Sequence, residues 1–245
     1  MQRIVRKGLA DDVRDALLRS IRSMDLSRSS KLPPESELGA KLGVSRITIR
    51  RALSDLENDG IVVRLQGRGT YVNRSALQIK VDLSRMKEFG QVIRQSGHSS
   101  SCELLSVRTV KANDVVAKAL DIPEGAGVYQ IIRLYKADGI HAILSDASIP
   151  VSLFPSPVSQ GEWKKGSNFM VLARQCGILV ISDKIEVSCI DTESLSSVYP
   201  VFKEFPCKAV LDLTGIGFEQ GGKPVIYGRS FYNTDVVKFD MFRKS

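Results

Sequence analysis

Arg46 and Arg50 lie four positions apart, with Thr48 between them and Arg51 following, and no other stretch groups side chains so suited to recognition. A guanidinium is a planar fork that can engage two acceptors at once, on a phosphate or on a guanine edge, and a hydroxyl adds an adaptable donor. If Gly43 to Asp59 (GVSRITIRRALSDLEND) is helical, i and i+4 residues share a face, so the two forks project together from its first turns. Ile49, Ala52, Leu53 and Leu56 then form the core-facing stripe. A helix that reads DNA does so with its N-terminal side chains. The reading requires the two guanidinium groups to be free of intramolecular ion pairs. A basic outer face is equally what any solvated surface helix shows, so the flanking elements have to decide.

Those flanks supply a defined start. Ser45 is placed to cap the helix, and Val44 and Ile49 sit at the two positions of a hydrophobic staple. Upstream, PPESELGAKLG predicts a short helix with prolines in its first turn, Glu35 and Glu37 at its positive end, and a stop at Gly43. Short helix, glycine turn and Ser-capped second helix make a helix-turn-helix. Downstream, Ile61 to Leu65 and Thr70 to Val72 read as strands around Gln66-Gly67-Arg68-Gly69, a hairpin with a basic tip, or wing. Leu9 to Met24 predicts an amphipathic helix, with Val13, Leu17, Ile21 and Met24 completing a three-helix core.

Charge follows this division. The net charge is +8, but residues 1–74 hold 15 Lys and Arg against 9 Asp and Glu, whereas residues 75–245 hold 20 against 18. A basic excess confined to one third of the chain is the footprint of a phosphate-binding domain. No apolar run is long enough to span a membrane, and no secretory h-region precedes Asp11, so a cytoplasmic protein is expected. Cys102, Cys176, Cys189 and Cys207 are 74, 13 and 18 positions apart, which fits neither a metal pair nor a disulfide framework. With His98 and His141 as its histidines, the chain offers no zinc-type cluster. No metal or cofactor is expected.

LPPESELGAKLGVSRITIRRALSDLENDGIVVRLQGRGTYV resembles the winged-helix domain of the GntR family of bacterial transcriptional regulators over some forty residues. The match includes the Gly-Val-Ser turn, the Arg-x-Thr-x-Arg face and the Gly-Arg-Gly-Thr wing tip. The resemblance implies contacts to DNA bases and phosphates from Ser45, Arg46, Thr48, Arg50 and Arg51, and from Gln66, Gly67 and Arg68 on the wing. One departure is Ser36, where the family often carries arginine.

The expected division is residues 1–74 for this domain, 75–85 for a polar linker and 86–245 for a second domain. There, strand-like runs cover Glu103 to Lys111, Val128 to Lys136, Ile143 to Ile149, Leu179 to Ile190, Ala209 to Glu219 and Pro224 to Tyr232, with Val236 to Met241 as a last strand. Helices are expected at Asp114 to Leu120, Ser167 to Cys176 and Glu193 to Tyr199. Strands joined by short turns imply an antiparallel sheet partly covered by helices, so the class is α+β.

This part resembles the UTRA effector-binding domain of the HutC branch of that family. The likeness rests on Asp121-Ile-Pro-Glu-Gly, Ile132-Arg133-Leu134, Ser148-Ile149-Pro150, Leu153-Phe154-Pro155 and Gly222-Lys223-Pro224-Val225 leading to Tyr232. The fold also resembles chorismate lyase. The resemblance implies dimerisation, a small and often anionic metabolite as effector, and a site that includes Arg133, the helix start at Ser167, Asn168 and Phe169, and Arg229 and Tyr232. Relatives that bind amino sugars carry glutamates where Ser145 and Ile226 stand here, and Tyr135 replaces the second arginine of an Arg-x-Arg pair. An effector anionic at one end and less polyhydroxylated is therefore expected. Arg133 could instead pair with Asp146 or Glu186.

The resulting expectation is a homodimeric repressor on an inverted-repeat operator of double-stranded DNA, modulated by that effector. A ligand-independent repressor is the alternative. A lyase-like enzyme is disfavoured because no nucleophile elbow, phosphate-binding glycine loop or metal spacing is present.

Overall fold

The computed structural model describes residues 9–77, 81–83 and 87–241. The chain divides into two compact units, the second running from Val81 to Phe239.

The first unit holds α1 (Leu9–Arg22), α2 (Glu35–Leu42), α3 (Arg46–Asn58), strands β1 (Val62–Leu65) and β2 (Gly69–Val72), and a short helix α4 (Arg74–Leu77). Val13, Leu17 and Ile21 of α1 meet Ile49, Ala52, Leu53 and Leu56 of α3 in one core, closed by Leu32, Leu38, Val62 and Val72. Both prolines lie ahead of α2 rather than inside it, with Pro34 at the N-cap position. Gly43 ends α2 at φ 64°, the left-handed conformation that glycine adopts without strain, and this turns the chain into α3. The wing is an antiparallel hairpin. Ser30 to Leu32 ties it to the domain, since Leu32 N donates to Thr70 O at 2.8 Å and Val72 N to Ser30 O at 2.7 Å.

The expected linker is partly structured. Arg74 to Leu77 is helical, with Leu77 packed on the first core, residues 78–80 and 84–86 lie outside the described residues, and Val81 is already buried in the second unit. That unit starts with α5 (Phe89–Gln95), a helix not expected from sequence, followed by β3 (Ser100–Lys111), α6 (Asp114–Leu120), β4 (Gly127–Ala137) and β5 (Ile140–Pro150). Next come α7 (Gln160–Lys164), α8 (Asn168–Cys176), β6 (Val180–Asp191), α9 (Thr192–Ser196), β7 (Ala209–Glu219) and β8 (Pro224–Tyr232). Among the described residues its strands form a six-stranded antiparallel sheet in the order β3-β4-β5-β8-β7-β6. The strand expected at Val236 to Met241 is absent. The carbonyl of Asn233 accepts from the amides of Val236 and Val237 and its side chain from Asp235 N, so the chain turns and plugs Val237 into the core.

One face of the sheet packs on α9 and the segment after it through Leu134, Leu144, Phe202, Phe205 and Phe231. The other face carries two apolar clusters, one around Tyr135, Ile143 and Tyr232, the other around Ile131, Ile149 and Trp163. Between them the floor is left open.

Candidate functional site

In the first unit, the start of α3 is built as its sequence demands. Ser45 Oγ accepts from Thr48 N at 3.2 Å and lies 2.8 Å from Thr48 Oγ1, so the hydroxyls of both residues are engaged in the cap. Arg46, Arg50 and Arg51 are exposed, as are Gln66, Gly67 and Arg68 at the wing tip, where Gly67 takes φ 72°. The structure corrects one expectation. Arg46 and Arg50 are not free of intramolecular partners, because both pair with Glu35 of α2, each with a nitrogen 3.1 Å from Oε2. Yet their side chains remain 67% and 58% exposed, so the shared carboxylate anchors the guanidinium groups without burying them. Ion pairs this exposed are weak, and a phosphate or guanine can replace the carboxylate. Burial pushes the Glu35 carboxyl up, and hydrogen bonds from Arg50 and Arg46 outweigh it, leaving it below its ordinary value. Arg64 joins the wing to α3 by donating from Nη2 to Arg50 O at 2.8 Å.

In the second unit, the open floor is a cavity of about 760 Å³, within the range that holds a small metabolite. Register explains its shape. Arg133 on β4 pairs with Ser145 on β5, which pairs with Ser230 on β8, and these three point into the cavity. The next rows bring Ala147, Gly228 and Gly215, where small or absent side chains leave depth. Tyr135 and Tyr232 form one wall with Phe89 of α5, the rings of Phe89 and Tyr135 lying 5.0 Å apart.

Arg133 is the centre of the site. The residue is 3% exposed, and its guanidinium donates to Asn168 Oδ1, to Trp163 O at 2.7 Å and to Gly166 O at 3.1 Å. Neither Asp146 nor Glu186 pairs with it. Asp146 accepts instead from Gln130 and Tyr199 on the opposite face. Burial pulls the Arg133 guanidinium below its ordinary range. A buried cation that no carboxylate among the described residues pairs with directly is costly unless an anion completes it. Ser167 caps α8, its Oγ accepting from Met170 N, so the unpaired amides of the first turn face the same space.

Of the residues named from sequence, Ser145, Asn168, Phe169, Tyr135, Ser167 and Tyr232 line the cavity with Arg133, but Arg229 does not. It lies on the other face of β8, paired with Asp212 at 2.5 Å and stacked 4.8 Å from the Phe231 ring centre. Sequence reading missed Glu88 and Asp183, which also line the cavity, so it holds carboxylates although Ser145 and Ile226 replace the two glutamates of amino-sugar-binding relatives. Glu88 precedes α5 and accepts from Ser167 Oγ. Burial pushes the Asp183 carboxyl up. The alternation of β6 puts Asp183 and Ile185 on one side, but only the sheet order tells which side faces the floor.

A winged helix-turn-helix with an exposed basic reading face, joined to an antiparallel-sheet domain around a metabolite-sized cavity, defines a ligand-responsive class of DNA-binding regulator. The chain belongs to the GntR family of bacterial regulatory proteins: residues 9–72 match the model described as "Bacterial regulatory proteins, gntR family", and residues 95–238 match the UTRA domain. It is 26% identical over 241 residues, 98% of this chain and 96% of that protein, to the mannosyl-D-glycerate transport/metabolism system repressor MngR of Escherichia coli. It is also 34% identical over 134 residues, 53% of this chain and 52% of that protein, to the histidine utilization repressor of Pseudomonas putida. Among solved structures, YydK from Bacillus subtilis superposes with a TM-score of 0.76 at 16% identity, covering 97% of this chain and 100% of that one. PhnF from Mycobacterium smegmatis gives 0.57 at 23% identity, covering 95% and 99%. These two share the fold.

Proposed function

We propose that the chain is a homodimeric repressor that binds an inverted-repeat operator through α3 and the wing, and that an anionic metabolite held at Arg133 and the start of α8 sets its operator affinity. The observation that carries the effector reading is Arg133 itself, a buried guanidinium with carbonyl partners and no paired carboxylate among the described residues. An anion entering here gains the field of a buried guanidinium and the amides of a helix start. Asp183, on the β6 side of the cavity, then offers an acceptor to a hydroxyl or amine of the same molecule. The curated relatives described above are named as repressors, which supports repression as the sign of control.

On DNA, Arg46, Arg50 and Arg51 supply base and phosphate contacts, Ser45 and Thr48 fix the helix start, and Gln66, Gly67 and Arg68 position the domain from the wing. A regulator of this kind needs no catalytic step, and we assign it no enzymatic activity. Its place is with cellular DNA in the cytoplasm. Effector control then follows from differential affinity for two arrangements of the dimer. Soaking phosphorylated sugars, phosphonates and carboxylates in a thermal-shift assay tests the effector class. Stabilisation by one anionic class, lost on Arg133→Met, supports the reading, and stabilisation by none would leave a ligand-independent repressor.

A further inference from the structure

The recognition helix carries one side chain that none of these roles uses. Ile47, the second residue of α3, is 79% exposed, more than any other large apolar side chain among the described residues. At about 100° per residue it lies roughly 200° around the helix from the fully buried Ile49, so it marks the crest furthest from the core. Arg46 and Arg50 sit on one flank of that crest, drawn toward α2 by Glu35, and Arg51 sits on the other. Ile47 thus stands at the apex of the DNA-facing turn with cations on both sides.

A β-branched apolar residue gains nothing there from the core or from helix propensity. The apolar feature that base edges offer in the major groove is the 5-methyl group of thymine. We propose that Ile47 is a specificity-determining residue that packs against a thymine 5-methyl group in the bound site, while the flanking arginines engage phosphates and guanine edges. The flanking cations argue for DNA as the occupant of this apolar crest, since a second protein surface would have to bury them.

The test uses the full-length chain. Binding sites are first selected from a random duplex library with the wild type and with Ile47→Ala, and enrichment of any site by the wild type tests DNA reading on its own. The Ile47→Ala site should keep the wild-type consensus except for a thymine preference lost at one position. Replacing that thymine by deoxyuridine removes only the methyl group, and should weaken the wild type about four-fold, the worth of burying one such group. The same replacement should leave Ile47→Ala unchanged, with Ile47→Thr intermediate, and thermal unfolding should be the same for all three chains. Identical consensus sequences, or an equal loss with deoxyuridine in both proteins, would overturn the proposal. So would an altered oligomeric state with base preference kept, which would assign Ile47 to a protein contact.

Discussion

The guanidinium of Arg133, deep on β4, donates to the side-chain oxygen of Asn168, the first residue of α8. That single contact brings a buried cation and a helix N-terminus together, the two features that most favour an anion. It also sets the outcome of removing the charge. Arg133→Met leaves three oxygens without their donor, about 1–3 kcal/mol, but it also removes a buried charge that no carboxylate among the described residues pairs with, so the two effects oppose. The melting temperature should therefore move by no more than a few degrees, and a loss above about 10 °C in differential scanning calorimetry would show that Arg133 is chiefly structural.

Glu35 makes a second prediction. Its carboxylate occupies the arginines that DNA would use, so Glu35→Gln should tighten binding to random-sequence duplex at low salt. It should also reduce discrimination between the selected site and random sequence, because Arg46 and Arg50 lose their common anchor. The pH dependence has a definite sign. The folded-state value lies below the ordinary one, so the pairs add stability above about pH 4.3 and lose it as pH falls through the lowered value. Acid unfolding followed by circular dichroism should be shallower in Glu35→Gln than in wild type between about pH 5 and 3.

The helix and the wing should fail differently. Arg46→Ala removes a contact at the reading turn and should relax preference at one base position, at about 1–3 kcal/mol. Arg68→Ala at the exposed wing tip should weaken all sequences alike and lower the salt slope by about one unit. Anisotropy titrations over operator variants distinguish them, and equal effects of both substitutions on every variant would contradict the assignment.

The cavity floor gives a steric pair. A Cβ on Gly215 would meet only ordinary contacts, the nearest at 3.7 Å from Ile185, whereas one on Gly217 would come within 2.7 Å of Ile226 and 2.9 Å of Val180. Gly215→Leu should therefore intrude on the cavity floor and weaken effector response with the fold retained. Gly217→Ala should destabilise by about 1–3 kcal/mol. Chemical denaturation and effector titration of both variants separate the two effects.

Much of the winged helix was legible because each device is local. Ser45 caps at a fixed offset, Gly43 stops α2, and Ile49, Ala52, Leu53 and Leu56 repeat at helical spacing. The cavity was legible only in part, since it is made by strand order. The Gln220-Gly221-Gly222-Lys223 turn announces β8 beside β7, but no hairpin signal announces β8 beside β5. Arg229 is instructive. It is three residues from Tyr232 on one strand, so alternation alone puts the two on opposite faces, and the sequence held that information. Glu88 was missed because it follows a polar stretch read as linker, and α5 is too short to show a period. The pairing of Glu35 with Arg46 and Arg50 needs the angle between α2 and α3, which sequence does not encode locally.

The most direct test of the account is operator affinity measured by fluorescence anisotropy on an in vitro selected site, with and without the anionic metabolite that stabilises the wild type most. The wild type should change its affinity for the site in the presence of that compound, and Arg133→Met should bind the site with wild-type affinity but ignore the compound. An unchanged wild-type affinity across the whole anion panel, or an undiminished response in Arg133→Met, would contradict an effector site built on Arg133.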